Sequence, residues 1–271
     1  MTLPEPILSF WAASLELSPR VRHTPWGAIV TDPRYPLVYE ANHASVLAPS
    51  PDLSLRDIRD ELHPALKEVG ASHEHIEFMD AADDNPAMRE LLASSGEHDP
   101  HVLMVYEGER PHRDARASSS EPTGIRVAEI DQPDGSFWEH YRSVPNEYGE
   151  ALADDVLEQM LARVQEILGP AERFFVGSVD GAVAGIVSVL NLEGVACVDN
   201  VVTLSAFRGR GVATATVTRA VSASLSAGAK AVFLLAEEKS AAQRLYQRLG
   251  FRVRRRCYSF TRPFLGGSTA G

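Results

Sequence analysis

The stretch FRGRGVAT (207–214) decides the fold predicted for this chain. It follows an apolar segment and precedes residues 212–225, whose apolar spacing predicts a helix. Glycines between a strand and a helix indicate a tight turn or a close backbone approach. Backbone N–H groups at a helix start attract anions, and Arg208 and Arg210 add positive charge. The stretch therefore predicts a pyrophosphate site, with a glycine turn and solvated arginines as the simpler alternative.

The residues around this stretch alternate between predicted strands and helices. Asp180-Gly181 is a strong hairpin signal, and with a second turn at Gly194 it divides the apolar run 173–204 into three strands. Three further strands are predicted over 125–130, 231–236 and 254–260, and three further helices over 136–144, 154–168 and 240–249.

Two common phosphate-binding motifs do not fit the stretch. The P-loop string GxxxxGK[ST] does not occur in the sequence. The dinucleotide fingerprint GxGxxG would require glycine at Thr214 and a preceding parallel strand, whereas this strand follows two hairpin turns.

A third family fits, because residues 123–262 resemble the GNAT N-acetyltransferase superfamily. The signature of that family, [Q/R]-x-x-G-x-[G/A] between its fourth strand and third helix, reads RGRGVA (208–213) here. A second family feature is an aromatic residue four positions before Gly-Phe, and here it is LYQRLGF (245–251). The resemblance implies an α/β (α+β) fold with a mixed, mainly antiparallel sheet flanked by helices.

The resemblance also implies a function and a binding site. It implies transfer of an acetyl group from acetyl-CoA to a primary amine of a small molecule, amino acid or peptide, without a metal. Backbone amides of 210–214 would bind the pyrophosphate, and strand residues 201–203 would line the pantetheine arm or serve only as sheet core. The implied cofactor-binding residues are Val201, Val202, Thr203, Arg208, Gly209, Arg210, Gly211, Val212, Ala213, Thr214 and Tyr246.

Three catalytic candidates follow from the resemblance. The backbone N–H near Val202 would polarise the thioester carbonyl. Tyr246 would protonate the leaving thiolate, unless it is only a buried aromatic. The glutamate that many members carry eleven residues before Arg208 is Cys197 here, so Asp199, on the same strand face, is the candidate base. Asp199 would alternatively only orient the ammonium group or pair with an arginine.

The missing glutamate favours one competing function. The chain would then be a non-catalytic acyl-CoA sensor or a partner-docking module. Transfer of a longer acyl group is a third alternative that the sequence leaves open.

The first part of the chain is predicted to be a separate, smaller domain. The polar, serine-rich residues 107–122 predict a linker between a domain at 1–106 and the catalytic domain at 123–265, with a tail at 266–271. Residues 85–96 align without gaps with 239–250, which indicates a degenerate GNAT-like copy; an unrelated α/β domain is the alternative. The position of Tyr246 is a leucine there, and that of the phosphate loop, 49–55, lacks the glycines and arginines and contains Asp52, so we expect no cofactor in this domain. We expect this domain to form one wall of the acceptor site.

The first region is also predicted in detail. Strands are expected over 26–33 and 36–47 and a helix over 55–70, whereas the two histidines of SHEH (72–75) are expected in a polar loop rather than a metal site. In RVRRRC (252–257), Val253 is expected to face inward, with its arginines outward.

Charge and cysteine content restrict the function classes. The net charge is −11, and residues 1–121 contain 10 Lys and Arg against 21 Asp and Glu. Such an acidic chain is a poor nucleic-acid binder, and acidic residues in 143–155 (Glu147, Glu150, Asp154, Asp155) favour a cationic acceptor or form a solvated loop. Two cysteines predict neither a disulfide framework nor a zinc site. With no signal peptide or membrane span expected, the prediction is a cytoplasmic protein, and an oligomer stays open.

Overall fold

The computed structural model describes residues 4–79, 85–94, 100–109, 124–149, 152–169 and 171–264. Helices alternate with strands along this part of the chain. The helices are α1 (Glu5–Leu15), α2 (Leu55–Val69), α3 (Pro86–Ser94), α4 (Gly135–Arg142), α5 (Val144–Glu147), α6 (Asp154–Arg163), α7 (Val212–Ser226) and α8 (Ala241–Arg248). The strands are β1 (Arg20–Thr24), β2 (Gly27–Thr31), β3 (His43–Val46), β4 (His73–Phe78), β5 (His101–Tyr106), β6 (Ile125–Ile130), β7 (Glu172–Val179), β8 (Ala182–Leu192), β9 (Val195–Thr203), β10 (Ala231–Glu237) and β11 (Phe251–Pro263).

All of these strands form one sheet, in the order β1-β2-β3-β4-β11-β5-β10-β9-β8-β7-β6. Its pairs are antiparallel except β3 with β4 and β9 with β10. The mixed, mainly antiparallel sheet flanked by helices is thus the predicted fold class, which is confirmed.

The two halves of the chain exchange their closing strands. β5 lies between β10 and β11, beside strands of the second half. β11 pairs with β5 through Cys257 and then with β4 from Tyr258 onward. The first half thus contributes two antiparallel strands and a parallel pair, and the second half three antiparallel strands and a parallel pair. The last strand of each half pairs with the outer strand of the other half's parallel pair. The predicted boundary after residue 106 divides the chain but not the sheet.

Most predicted elements of the second half are confirmed, with the hairpin at Asp180-Gly181 and the turn at Gly194 joining β7, β8 and β9. The predicted helix 154–168 is regular only through Arg163 and continues as a wider π-helical turn.

Other expectations are wrong. Only 43–46 of the predicted strand 36–47 is extended, because residues 39–41 form a 3₁₀ turn. His73 and His75 lie in buried β4 instead of a polar loop. Val253 is 40% exposed because a bulge between Val253 and Arg255 shifts the register of β11. The sequence analysis did not identify α1 or β1.

Two facing glycines on β7 and β8 allow the start of α7 to approach the sheet. Gly177 and Gly185 are register partners. A Cβ atom at Gly185 would lie 2.6 Å from the Val202 carbonyl oxygen and 2.8 Å from Val212 Cγ1, and one at Gly177 would lie 2.8 Å from Thr216 Cγ2. Because no side chain intervenes, the first turn of α7 is fixed beside β9.

Candidate functional site

A groove opens where β9 and β10 separate. The two strands pair only between residues 195–197 and 231–233, and beyond that point β9 continues without β10. The groove has a volume of about 580 Å³ and is closed by the loop before α7 and by α8. Its walls contain the predicted cofactor-binding residues other than Arg210, namely Val201, Val202, Thr203, Arg208, Gly209, Gly211, Val212, Ala213, Thr214 and Tyr246.

The loop before α7 presents backbone amides to this groove. Gly209 and Gly211 have φ values of +76° and +87°, a left-handed conformation that glycine adopts without steric cost. Gly211 is the N-cap residue, and no side chain caps the start of α7. The first N–H groups of a helix have no intrahelical acceptor, so this end of α7 suits an anionic ligand.

The two arginines of the loop contact protein groups. Arg208 donates to the carboxylate of Glu147 at 2.9 Å and to the carbonyl oxygen of Thr203 at 3.2 Å, which ties the loop to α5 and β9. Arg210 lies 3.9 Å from the carboxylate of Asp180 and over the Phe207 ring. It remains a prediction that both arginine side chains contact a phosphate directly.

The pairing of β9 with β8 decides which amides of β9 face the groove. The Leu204 N–H donates to the Ala184 carbonyl oxygen at 3.0 Å. Hydrogen-bonded pairs alternate along an antiparallel ladder, so the N–H of Val202 also points toward β8. The N–H groups of Val201 and Thr203 point the other way, into the groove. This register does not support Val202 as the donor to a thioester carbonyl and favours Val201 instead.

A bulge in β9 creates this arrangement. The register with β8 shifts between Ile186 and Ser188, and Asn200 has φ +47°, a conformation that asparagine tolerates. The Asn200 side chain donates to the Tyr141 hydroxyl at 2.9 Å and to Ser188 Oγ at 3.1 Å. Asn200 was not singled out in the sequence, although its side chain holds the bulge in place.

Tyr246 lies on α8 with its ring buried and facing the groove. Its hydroxyl has no hydrogen-bond partner within the described residues. Burial raises the pKa of Tyr246, and the negative charge of Asp199 raises it further. The phenol is therefore protonated at neutral pH and has a proton to donate.

Asp199 faces a second cavity, of about 420 Å³, on the other side of β9 from the groove. Its carboxylate accepts a hydrogen bond from the Asn200 N–H at 2.8 Å and is otherwise open to this cavity. Enclosure by the surrounding atoms raises the pKa of Asp199. Cys197 lines the same cavity, and burial raises the pKa of its thiol, so it is no substitute for a carboxylate base.

Glu172 is a further ionisable residue that the sequence analysis missed. It begins β7, and Ser188 of β8 lies close enough to its carboxyl group to lower its pKa. Its Oε2 atom is buried without a partner in the part of the chain that the structure describes. Burial raises the pKa of Glu172 to about 7, against the opposing effect of Ser188. A glutamate near the start of an otherwise apolar strand was the only available signal.

Part of residues 143–155, the segment predicted to build the acceptor pocket, lines the groove instead. Glu147 and Tyr148 line the groove, and Glu147 binds Arg208. Asp154 is exposed at the start of α6 and lies 3.5 Å from Arg142. Glu150 lies outside the described residues.

Comparison with known proteins identifies the domain that holds the groove. The model of the acetyltransferase (GNAT) family matches residues 135–251. Residues 135–251 are a GNAT acetyltransferase domain. The match contains β9, the loop before α7, and Tyr246.

Solved structures similar to the whole chain agree with this GNAT fold. A conserved protein of unknown function from Staphylococcus epidermidis is 16% identical with a TM-score of 0.69, over 90% of this chain and 93% of that one. A GCN5-related N-acetyltransferase from Kribbella flavida is 16% identical with a TM-score of 0.65, over 96% and 95%. A tandem GNAT protein from the clavulanic acid biosynthesis pathway is 18% identical with a TM-score of 0.52, over 80% and 70%. No curated protein sequence matches the chain significantly.

α2, which connects the parallel strands β3 and β4 as α7 connects β9 and β10, begins differently from α7. Ser54 caps α2 by accepting from the Asp57 N–H, and the Asp57 carboxylate accepts from the Ser54 N–H. This end of α2 is thus closed by its own side chains and carries a negative charge, which disfavours a phosphate. No cluster of three or more metal-ligating side chains occurs in the described ranges. Within the same ranges, every helix is too short or too polar to cross a bilayer.

Proposed function

We propose that the chain is an acetyl-CoA-dependent N-acetyltransferase that acts on a primary amine. The groove between β9 and β10 carries this proposal. It combines the uncapped start of α7, which suits a pyrophosphate, with groove-facing amides on β9, which suit the amide groups of a pantetheine arm. The GNAT family match over the same residues supports acetyl-CoA as the ligand.

In the proposed reaction the amine nitrogen attacks the thioester carbonyl carbon directly. The C–N bond forms, the C–S bond breaks, and the electron pair of that bond leaves on the coenzyme A sulfur. The Val201 N–H stabilises the negative charge that develops on the carbonyl oxygen. Tyr246, whose hydroxyl lacks a protein partner within the described residues, gives its proton to the departing thiolate.

The proton released by the amine needs an acceptor on the other side of β9. Asp199 lies there, two residues from Val201, and its carboxylate is open to the second cavity. Glu172 lies near the same region. Ser188, which lowers the pKa of Glu172, accepts a hydrogen bond from the side chain of Asn200, the residue after Asp199. Asp199 is the proposed group that first accepts the proton of the amine. Glu172, with its pKa of about 7, is the proposed group that then holds this proton.

We propose further that the first half is a degenerate GNAT-like copy that binds no cofactor. The matching strand order of the two halves and the tandem GNAT relative support a duplication. The closed start of α2 supports the loss of the phosphate site.

A single substitution in the loop tests the cofactor site. Gly209→Asp places a carboxylate in the groove at a position where φ is +76° and a new Cβ meets no atom within 4 Å. The matched control is Gly228→Asp, at the other end of α7, with φ +95° and equally open space. Backbone strain is therefore comparable in the two variants. We expect calorimetry to show that acetyl-CoA affinity falls at least tenfold in the first variant and is unchanged in the control.

Thiol release from acetyl-CoA with a panel of primary amines tests the reaction itself. Equal acetyl-CoA binding by both variants would contradict the placement of the cofactor. Binding without transfer to any amine would instead favour the alternative of an acyl-CoA sensor.

A further inference from the structure

The second cavity lies between the two halves of the chain. Its walls come from α1, β3 and β4 of the first half, and from β9, β10 and the end of α6 in the second. Its volume of about 420 Å³ is within the range of about 300–1,000 Å³ that is usual for small-molecule sites. The cavity would not exist in either half alone.

One end of the cavity carries an excess of negative charge. Glu40, Glu77 and Asp199 line it together with one arginine, Arg163. Arg163 lies 3.5 Å from the Glu40 carboxylate, which leaves Glu77 and Asp199 without a guanidinium or ammonium partner in the described chain. The wall is therefore complementary to a cation.

The two histidines at this end do not cancel that charge excess. His75 Nε2 lies 3.1 Å from the Glu77 carboxylate. Burial opposes ionisation of Glu77, but His43 and His75 outweigh this effect and lower its pKa to about 2. Burial lowers the pKa of His43 to about 4, so its ring is neutral at pH 7. His43 is 7% exposed, and its Nδ1 atom lies near the Glu40 backbone without a hydrogen bond of good geometry in the described residues.

The rest of the cavity lining includes many apolar side chains. They are aromatic and aliphatic side chains of both halves, including Phe10, Trp11, Met79, Leu190 and Leu235. A ligand that fills the cavity thus places a hydrocarbon or aromatic body against these side chains and a positive charge near the carboxylates.

We propose that this cavity is the acceptor site and that it selects primary amines with an apolar body, with Glu77 of the first half binding the ammonium group and Glu40 balancing the charge of Arg163 beside it. This inference rests on the proposed function. The cavity and the cofactor groove meet at β9, where Asp199 faces one and Val201 lines the other. An amine held by Glu77 reaches Asp199, loses a proton and faces the thioester. The first half thereby supplies substrate recognition, although it has no phosphate loop.

The probes that test this proposal are 2-phenylethylamine, its neutral counterpart 2-phenylethanol, and ethylamine, which lacks the apolar body. Their affinities are measured by calorimetry on the full chain with coenzyme A present. We expect 2-phenylethylamine to bind at least tenfold more tightly than 2-phenylethanol, since a charge-assisted hydrogen bond contributes about a factor of ten or more. It should also bind at least tenfold more tightly than ethylamine, since burial of a phenyl ring contributes about as much.

The variants are Glu77→Gln and Glu40→Gln, with Glu90→Gln, an exposed residue of α3, as the matched control. Each cavity variant should weaken 2-phenylethylamine binding about tenfold and leave 2-phenylethanol and coenzyme A binding unchanged. The control should bind all probes like the unmodified protein. Glu40→Gln leaves the charge of Arg163 unbalanced in the cavity, and because the Glu40 side chain is 53% exposed, it does so without disturbing the core.

Equal affinity for the amine and the alcohol, or cavity variants that bind the amine normally, would overturn the assignment of this cavity. A separate acetyl-CoA titration tells the two proposals apart. If acetyl-CoA binds while the amine discrimination is absent, the acceptor assignment fails and the cofactor site stands. If acetyl-CoA does not bind, the proposed function itself is contradicted.

Discussion

Replacement of Glu172 by glutamine should change how the stability of the protein depends on pH. The pKa of this carboxyl is raised from 4.5 to about 7, mainly by burial. One pKa unit corresponds to about 1.4 kcal/mol, so ionising Glu172 costs about 3 kcal/mol more in the folded protein than in the unfolded chain.

The sign follows from which state binds the proton more tightly. Below pH 4.5 the carboxyl is protonated in both states and has no effect on the pH dependence. As the pH rises from 4.5 to 7, the unfolded chain releases its proton and the folded protein keeps it, so the stability falls by up to about 3 kcal/mol. Above pH 7 the loss is complete. Glutamine does not ionise, and Glu172→Gln should therefore be protected from this loss.

The assay is thermal unfolding of both proteins at pH 5 and pH 8. The stability of the variant minus that of the unmodified protein should increase by about 2.5 kcal/mol from pH 5 to pH 8, or by about 5–10 °C in Tm for a chain of this size. Glu90→Gln, on an exposed helix face, should show no such gain. If Glu172→Gln and the unmodified protein lose stability in parallel between pH 5 and pH 8, the burial argument for Glu172 is refuted. If Glu172 also stores the amine proton, kcat in the variant should lose its dependence on a group of pKa near 7.

Two further predictions concern the cofactor groove. Gly185→Ala places a methyl group 2.6 Å from the Val202 carbonyl oxygen, so we expect a loss of about 1–3 kcal/mol in urea unfolding and weaker acetyl-CoA binding as α7 is displaced. Gly135→Ala, where a new Cβ meets nothing within 4 Å, is its control, and equal behaviour of the two would contradict the close packing of α7. Tyr246→Phe removes only the proposed proton donor, so we expect kcat to fall about 10²-fold or more with acetyl-CoA affinity unchanged. Normal turnover in that variant would exclude the acid role.

The cofactor groove was predictable from sequence because its determinants are local. Two glycines with positive φ and a helix start follow each other within five residues, so FRGRGVAT suffices to predict the proposed anion site without any long-range contact. The choice between Val201 and Val202 was not predictable in this way. It depends on a bulge at Asn200, and that bulge depends on side chains from α4 and β8.

The proposed acceptor cavity could not be predicted from the sequence, because long-range contacts form it. Glu40, Glu77 and Asp199 come from three distant parts of the chain, and the exchange of β5 and β11 links the two halves into the sheet that brings them together. The alignment of 85–96 with 239–250 indicated similar halves, but similar halves pack side by side as readily as they exchange strands. The pairing of β11 with both β4 and β5 appears only in the folded structure.

The position of β11 has a consequence for synthesis on the ribosome. Phe78 of β4 has Tyr258 as its register partner, so 180 residues separate the two. At about 5–20 residues per second, β4 waits about 10–40 s for its neighbour after it has itself been translated. During that interval the nascent chain carries an open strand edge, which is the kind of surface that chaperones cover. A premature stop shortly before residue 258 would make that exposure permanent, although it removes only the last few per cent of the chain.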